Sequence, residues 1–153
     1  MIEGRHYQNA YVTRDIDAAV ETFVARTGAT RVLRHDGEVD VWTPRGEGRA
    51  LNRLAFIWID NLQYEFIQPV SGFVDIYRDA LPADDALTFH HVCMRVDDWT
   101  TFRDKVAREN WRVVLEGGGD ALRYLYLDAR DLVGHYLEYV WMTPERWAQM
   151  GGR

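Results

Sequence analysis

Four side chains that could bind a divalent metal ion occupy corresponding places in two similar halves of the chain. Gln8 and His91 each lie on a predicted strand that leads into a helix, and Glu65 and Glu138 each lie on a later strand rich in aromatic residues. An imidazole nitrogen, an amide oxygen and two carboxylates form a mixed, fairly hard ligand set that suits a divalent ion such as Zn, Ni, Co, Mn or Fe. Such an ion takes about six ligands, which leaves about two positions for water or substrate.

An ion held in this way would act as a Lewis acid that polarises a carbonyl group and stabilises an enolate. Glu65 and Glu138 are each predicted to lie in the middle of a mostly apolar strand, where an unpaired carboxylate costs free energy. Either glutamate could double as a base, because burial and the ion would both shift its pKa. The residues therefore predict a metal site whose glutamates are also the catalytic groups.

Other assignments of these residues stay open at this point. His6 shares a strand face with Gln8 and is the alternative first ligand, although only Gln8 aligns with His91. His91 could instead be a buried histidine without a ligand role. The two glutamates could face solvent on edge strands. Because successive strand residues point to opposite faces, His90 is predicted to point away from His91 and to be structural.

The elements that would position these residues repeat along the chain. Residues 6–13 predict a strand, and Asp15 then predicts the start of a helix that stops at Gly28. A second strand begins near Thr88, and Asp98 predicts the start of a second helix. Each half continues with three strands. A self-similar chain of this kind folds as two copies of one supersecondary unit.

The remaining strands follow from turn residues. In the first half, residues 30–42 predict one or two strands broken by Asp36-Gly37, 44–48 a polar loop, and 54–59 and 62–67 a hairpin that turns at Asp60-Asn61. The second half predicts strands at 112–115, 122–127 and 133–142, with a closing helix from Pro144. His91 follows Gln8 by 83 positions and Glu138 follows Glu65 by 73. The loop at 44–53 is predicted to hold the ten extra residues of the first half.

Composition limits the class of protein. A chain of 153 residues is enough for one domain, here residues 1–153, with module one at about 6–70 and module two at about 88–142. The net charge of −6 disfavours nucleic acid as a partner. We find no apolar run that predicts a membrane span, and the single Cys93 fits a reducing, cytoplasmic setting.

Three stretches resemble one known family. They are His90-His91-Val92-Cys93-Met94-Arg95-Val96-Asp97-Asp98, Tyr64-Glu65-Phe66-Ile67-Gln68-Pro69-Val70-Ser71-Gly72 and Gly134-His135-Tyr136-Leu137-Glu138-Tyr139. The chain is similar to the vicinal oxygen chelate superfamily, which includes glyoxalases, methylmalonyl-CoA epimerases, extradiol dioxygenases and bleomycin-resistance proteins. The resemblance implies an α+β fold of two βαβββ modules that pair into a cupped mixed sheet. It also implies metal ligands on the first and last strands of each module, at Gln8, Glu65, His91 and Glu138.

The resemblance implies a metal-dependent lyase or isomerase that chelates vicinal oxygens of a small organic substrate and stabilises an enolate. Glutathione-dependent glyoxalases carry an arginine four residues after the first ligand, where this chain has Val12, which disfavours glutathione as substrate. A ring-cleaving extradiol dioxygenase uses two histidines and one glutamate, so Gln8 disfavours that chemistry. A bleomycin-resistance-like protein that binds ligands without catalysis is the other alternative.

The partner expected of such a protein is a small-molecule substrate. Trp111 and Trp147 also predict an apolar face, and therefore a homodimer.

Overall fold

The computed structural model describes residues 3–153, which form eight strands and five short helices. The strands are β1 (Arg5–Val12), β2 (Arg31–Thr43), β3 (Gly46–Ile59), β4 (Leu62–Gly72), β5 (Thr88–Arg95), β6 (Val113–Gly118), β7 (Leu122–Asp128) and β8 (Tyr136–Met142). The helices are α1 (Ile16–Thr27), α2 (Asp75–Arg78), α3 (Trp99–Arg108), α4 (Arg130–Val133) and α5 (Pro144–Gln149).

The two longest helices, α1 and α3, begin where the sequence predicts. The carboxylate of Asp15 accepts a hydrogen bond from the backbone of Ala18 at 3.0 Å, and that of Asp98 accepts one from Thr101 at 2.9 Å. Each bond satisfies an amide that the first helical turn leaves without a partner. Gly28 ends α1 at a φ of 70°, in the left-handed region that glycine adopts without strain.

The strands form a closed barrel in the order β1-β4-β3-β2-β6-β7-β8-β5. Four neighbouring strands come from module one and the other four from module two. The modules meet along two seams, between β1 and β5 and between β2 and β6, and the strands pair antiparallel at both. The predicted α+β fold of two βαβββ modules is confirmed.

Within each module, the first and last strands pair in parallel with the same register. Glu65 on β4 lies opposite Ala10 on β1, two residues after Gln8. Glu138 on β8 lies opposite Cys93 on β5, two residues after His91. Because side chains two positions apart share a strand face, each module directs one first-strand residue and one glutamate toward the same side of the sheet.

The two seams differ in extent. β1 pairs with β5 along the length of both strands, from Arg5 opposite Arg95 to Val12 opposite Thr88. In the described part of the chain, β2 pairs with β6 at Val41 and Trp42 only. Most residues of β2 before this point are exposed. This part of β2 is therefore an edge strand that extends beyond the closed part of the barrel.

Three predictions of element boundaries are wrong. β2 is one strand of 13 residues, and Asp36-Gly37 lies within it, opposite Arg53 and Asn52 of β3. Residues 44–53 hold a tight turn and the start of β3, so the extra residues of module one lengthen two strands and not a loop. The last strand begins at Tyr136 because Arg130–Val133 forms the helical turn α4, which ends at Gly134 with a φ of 83°.

The tryptophans expected on a dimer face pack within their own chain. The ring of Trp147 meets the rings of Tyr7 and Trp58 edge to face, with ring centres 4.9 and 5.8 Å away. Trp111 is half-buried, and its indole nitrogen donates a hydrogen bond to Glu109 at 3.0 Å. These contacts account for both residues without a second chain, and the homodimer stays a prediction.

Within residues 3–153, no helix has both the length and the apolar character that a membrane-spanning segment requires.

Candidate metal site

The four predicted ligand residues meet inside the barrel, on the adjacent strands β4, β1, β5 and β8. The Nε2 atom of His91 lies 3.1 Å from Oε2 of Glu138 and 3.6 Å from Oε2 of Glu65. One terminal amide atom of Gln8 lies 3.3 Å from each of the same two carboxylate oxygens. A single ion bound by four such atoms would hold them at about these separations, because metal–ligand bonds to nitrogen and oxygen are about 2.0–2.2 Å long.

All four side chains are removed from water. The exposed fractions are 3% for Gln8, 6% for Glu65, 0% for His91 and 9% for Glu138. Two carboxylates placed this close together in a buried site repel each other unless positive charge lies between them. The cluster therefore needs a proton or a metal ion to relieve this repulsion.

The pKa values show how a proton meets this requirement. Burial alone would lower the pKa of His91, but the carboxylates of Glu138 and Glu65 outweigh burial and raise it to about 9. Burial also raises the pKa of the Glu65 carboxyl, and the contact with His91 offsets part of this rise. At neutral pH and without metal, His91 is a cation that bridges two acids. A divalent ion would replace that proton, because histidine binds metals in its neutral form.

His90 determines which nitrogen of His91 faces the two glutamates. The Nε2 atom of His90 lies 2.8 Å from the carbonyl oxygen of Ile76, so this nitrogen carries the hydrogen and donates. The Nδ1 atom of His90 must then accept, and its partner is Nδ1 of His91 at 2.8 Å. When His91 is neutral, its Nδ1 carries the hydrogen and the lone pair of Nε2 points toward Glu65 and Glu138.

The neutral state of His90 is consistent with this arrangement. Burial, together with the nearby charge of His91, lowers the pKa of His90 to about 3. His90 thus stays an acceptor for His91 over the whole range in which the protein would function. The prediction that His90 points away from His91 is wrong, because the two imidazoles are in direct contact. The alternation along a strand predicts the face of the sheet on which a Cβ atom lies. It does not predict the position of the far end of a long side chain.

His6, the alternative first ligand, lies outside the cluster. Its side chain is exposed, and its Nε2 atom lies 2.8 Å from Oδ1 of Asn9 and 3.1 Å from the carbonyl oxygen of Gln8. The pairing of β1 with β5 shifts by one residue between His6 and Gln8, which separates the directions of these two side chains. Gln8 therefore reaches the interior and His6 does not.

A cavity of about 330 Å³ opens directly onto the site. Glu65, Glu138 and Gln8 line it, whereas His91 does not. Four tyrosines and an apolar wall form most of the rest, namely Tyr7, Tyr77, Tyr124 and Tyr126 with Leu54, Phe56, Val140 and Met142. A small organic molecule in this cavity would contact both glutamates.

The edge of the cavity carries polar groups. Exposed residues of β2, among them Arg34 and His35, contribute to its wall together with Arg146 of α5. Asn52 is 9% exposed and also lines the cavity, and its Oδ1 atom has no hydrogen-bond partner among residues 3–153. Asn52 could not be predicted from the sequence, because an asparagine within a long strand carries no spacing signal.

A larger surface groove of about 800 Å³ lies beside the β2–β6 seam. It is lined mainly by charged residues and glycines, including Asp40, Arg49, Glu116 and Asp120. None of the four clustered side chains reaches it. Of these two cavities, the smaller is the one that the metal-capable side chains of Gln8, Glu65 and Glu138 line.

Comparison with known proteins places this architecture in a family. The family model for the glyoxalase/bleomycin resistance protein/dioxygenase superfamily matches residues 7–126, more than half of the chain. The chain belongs to this superfamily. The match covers Gln8, Glu65 and His91, and it ends before Glu138. The resemblance stated from the sequence is thereby confirmed. A search of curated proteins gave no match.

Solved structures of superfamily members share the fold. The structure of methylmalonyl-CoA epimerase from Mycobacterium tuberculosis aligns with a TM-score of 0.66 and 18% identity, covering 96% of this chain and 93% of that chain. A variant of Streptomyces coelicolor methylmalonyl-CoA epimerase in complex with 2-nitronate-propionyl-CoA aligns with a TM-score of 0.68 and 20% identity, covering 92% and 96%. At sequence identities this low, the structural similarity shows a common fold alone.

Proposed function

We propose that this superfamily member is a metal-dependent lyase or isomerase that binds vicinal oxygens of a small organic substrate and stabilises an enolate. The observation that carries the proposal is the convergence of His91, Gln8 and two glutamates, from four separate strands, at the end of an enclosed cavity. The ligand-capable atoms of Glu65, His91 and Glu138 lie within 4.8 Å of one another.

The donor set fits a divalent ion. Gln8, Glu65, His91 and Glu138 would hold it, and the neutral tautomer of His91 that His90 imposes presents a lone pair to the ion. Bound there, a divalent ion supplies positive charge that polarises a carbonyl oxygen and lowers the cost of an enolate. One imidazole and three oxygen donors are compatible with Zn, Ni, Co, Mn or Fe.

The two glutamates are the groups that would move the proton. Glu65 and Glu138 line the cavity, whereas His91 is fully buried behind them and is not part of the cavity wall. A substrate in the cavity would therefore have a carboxylate within reach. His91 would hold the metal ion and would not contact the substrate. In the metal-free protein, burial raises the pKa of Glu65, and a carboxylate with a raised pKa that does not coordinate the ion is a stronger base than one in water.

The related structures suggest a first substrate to test. One is titled methylmalonyl-CoA epimerase in complex with methylmalonyl-CoA and NH4+, with a TM-score of 0.65 and 18% identity over 92% of this chain. Removal of a proton next to a carbonyl is the chemistry that two cavity-lining carboxylates and a cation would support. We therefore include acyl thioesters with a second oxygen-bearing group among the candidate substrates.

The first experiment measures metal content. Elemental analysis of untagged protein after exhaustive dialysis is expected to give close to one divalent ion per chain, and EDTA treatment is expected to remove it. Glu138→Gln should lower the occupancy, whereas Glu21→Gln on the exposed side of α1 should not. Folded protein that neither retains nor binds such an ion would contradict the proposal.

The second experiment measures proton removal from carbon. Candidate 2-oxo acids, hemithioacetals and acyl thioesters, methylmalonyl-CoA included, are incubated with the protein in D2O, and deuterium entry is followed by NMR. The expected result is exchange that stops in EDTA and returns when metal is restored. Metal-loaded protein without exchange on any member of the panel would contradict the enolate chemistry.

A ligand-binding protein of the bleomycin-resistance kind is the alternative that the apolar cavity wall favours. It predicts tight binding of apolar ligands that is indifferent to EDTA and to Glu138→Gln. Binding measured by calorimetry in these three conditions distinguishes the two functions, because a metal-dependent enzyme loses affinity for an oxygen-bearing substrate in both altered conditions.

A further inference from the structure

Gln63 is the side chain that contacts Gln8 on the side away from the glutamates. The two glutamines lie opposite each other on β1 and β4, and both point into the barrel. The nearest terminal amide atoms of Gln8 and Gln63 lie 2.6 Å apart, which is the distance of a hydrogen bond. Gln63 is fully buried, and the other terminal atom of its amide has no hydrogen-bond partner among residues 3–153.

The Gln8 amide can adopt two orientations at these positions. In one of them, Nε2 of Gln8 donates to Oε1 of Gln63, and the amide oxygen of Gln8 lies 3.3 Å from the carboxylate oxygens of both Glu65 and Glu138. Three oxygen atoms that face one another in a buried site repel, because none of them can donate a hydrogen bond. A divalent ion between them turns the same arrangement into a set of ligands. The orientation therefore suits the metal-bound protein.

Rotation of the side-chain amides of Gln8 and Gln63 by half a turn exchanges the oxygen and nitrogen of each amide. This gives a second arrangement in which the atoms occupy the same positions. The amide nitrogen of Gln8 then donates to Glu65 and Glu138 at 3.3 Å each. Its oxygen then faces Gln63, which can donate from its own amide nitrogen over the same 2.6 Å. Both carboxylates gain a hydrogen bond, so this arrangement suits the metal-free protein.

We propose that Gln63 is a positioning residue that turns over together with Gln8 and so selects which amide atom of Gln8 faces the metal position. The proposal rests on the proposed metal site and adds a residue that the ligand set does not contain. Because Gln63 offers either an acceptor or a donor to Gln8, it supports both orientations. Groups that orient a ligand from outside the first shell contribute about 10–100-fold to metal affinity.

The main test compares two glutamines on the same strand. Gln63→Met keeps the length of the side chain and removes the contact with Gln8. Gln68→Met removes a different contact of β4, the hydrogen bond that Gln68 accepts from the backbone of Ile16 at 3.0 Å. Calorimetric titration of EDTA-stripped protein with Co2+ is expected to give about a 10–100-fold weaker affinity for Gln63→Met and wild-type affinity for Gln68→Met.

A double-mutant cycle separates positioning from a structural role. In a Gln8→Ala background, Gln63→Met is expected to cause no further loss of Co2+ affinity, since Gln63 acts through Gln8. An equal loss in both backgrounds, or wild-type affinity of Gln63→Met, would overturn the proposal. Wild-type protein that binds no Co2+ would instead overturn the proposed function, on which this inference rests.

NMR of the unmutated protein provides a test that does not depend on the folding of variants. Titration of 15N-labelled, metal-free protein with diamagnetic Zn2+ is expected to move the side-chain amide signals of both Gln8 and Gln63 with one common saturation curve. Movement of the Gln8 signals alone would overturn the coupled rotation.

Discussion

His91 and His90, which are adjacent in sequence, contact each other through their Nδ1 atoms at a distance of 2.8 Å. Because His90 also donates to the carbonyl of Ile76, its acceptor nitrogen is fixed toward His91. The backbone carbonyl of Ile76 therefore fixes the tautomer of His90. His90 in turn determines which nitrogen of His91 faces Glu138.

Replacement of His90 should weaken metal binding without removing a ligand. We expect His90→Leu to lower the affinity for Co2+ by about 10–100-fold, because His91 loses the acceptor that fixes its tautomer. His90→Asn keeps an acceptor oxygen close to the position of Nδ1 and is expected to retain most of the affinity. Calorimetry on stripped proteins measures both values. Equal losses in the two variants would indicate that His90 only fills space.

Metal binding should release a proton from His91. Since the pKa of His91 in the metal-free protein is raised to about 9, this residue holds a proton at pH 7.5 that a metal ion must displace. We expect release of about one proton per ion, and an affinity that rises about tenfold per pH unit up to about pH 9. Titrations in two buffers with different ionisation enthalpies measure the released protons. Binding that is independent of pH would show that His91 is not displaced.

The metal-free protein should lose stability as the pH rises. The pKa of His91 in the folded state, about 9, is above the ordinary value of about 6.5, so the stabilisation is complete below about pH 6.5 and is lost as the pH rises toward 9. The change is on the order of 3 kcal/mol. Thermal melts of stripped protein from pH 6.5 to 9 are expected to show a falling Tm, and saturating Zn2+ should flatten the curve. A flat curve without metal would contradict the charged state assigned to His91.

Glu65 should contribute more to activity than to stability. Glu65→Gln is expected to reduce deuterium exchange by about 100-fold or more, in line with loss of a catalytic acid or base. Because burial raises the pKa of Glu65, its charge opposes folding, so the metal-free variant should melt at the same or a higher temperature. Glu21→Gln is the matched surface control. A large fall in Tm for Glu65→Gln would identify the carboxylate as structural.

Two neighbouring glycines should respond differently to alanine. Gly118 has a φ of +107°, and a Cβ atom there would lie 2.2 Å from the carbonyl oxygen of Leu122. Gly119 has open space around that position. Gly118→Ala is therefore expected to lower the free energy of unfolding by about 2 kcal/mol or more, and Gly119→Ala by little. Denaturant melts compare the two. Similar values would contradict the tight β6–β7 turn.

The repeat and the convergence of the four side chains could be predicted because they depend on local features. An aspartate before a helix and the alternation along a strand are visible in a short window, as at Asp15, Asp98 and Glu138. Two such units in register imply convergence of their strands. The fold and the positions of four side chains follow from these features.

Features that depend on tertiary contacts could not be predicted in the same way. Asp36-Gly37 is a typical turn pair, yet pairing with Arg53 and Asn52 keeps it extended within β2. The contact of Gln63 with Gln8 depends on the parallel pairing of β1 and β4, which no local pattern specifies. In each case a partner distant in sequence decides the outcome.

The four clustered side chains lie on the strands around one seam of the barrel, and the exposed part of β2 lies beside the other. All four clustered side chains belong to β4, β1, β5 and β8, which are joined by continuous pairing, whereas β2 is held to β6 at two residues in the described chain. Leu33, Arg34, His35, Gly37 and Val39 of β2 line the cavity, and none of the four clustered side chains lies on that strand. Substitutions in β2 between Leu33 and Val39 can thus retune which molecules enter, through evolution or engineering, while the chemistry at the centre is inherited unchanged.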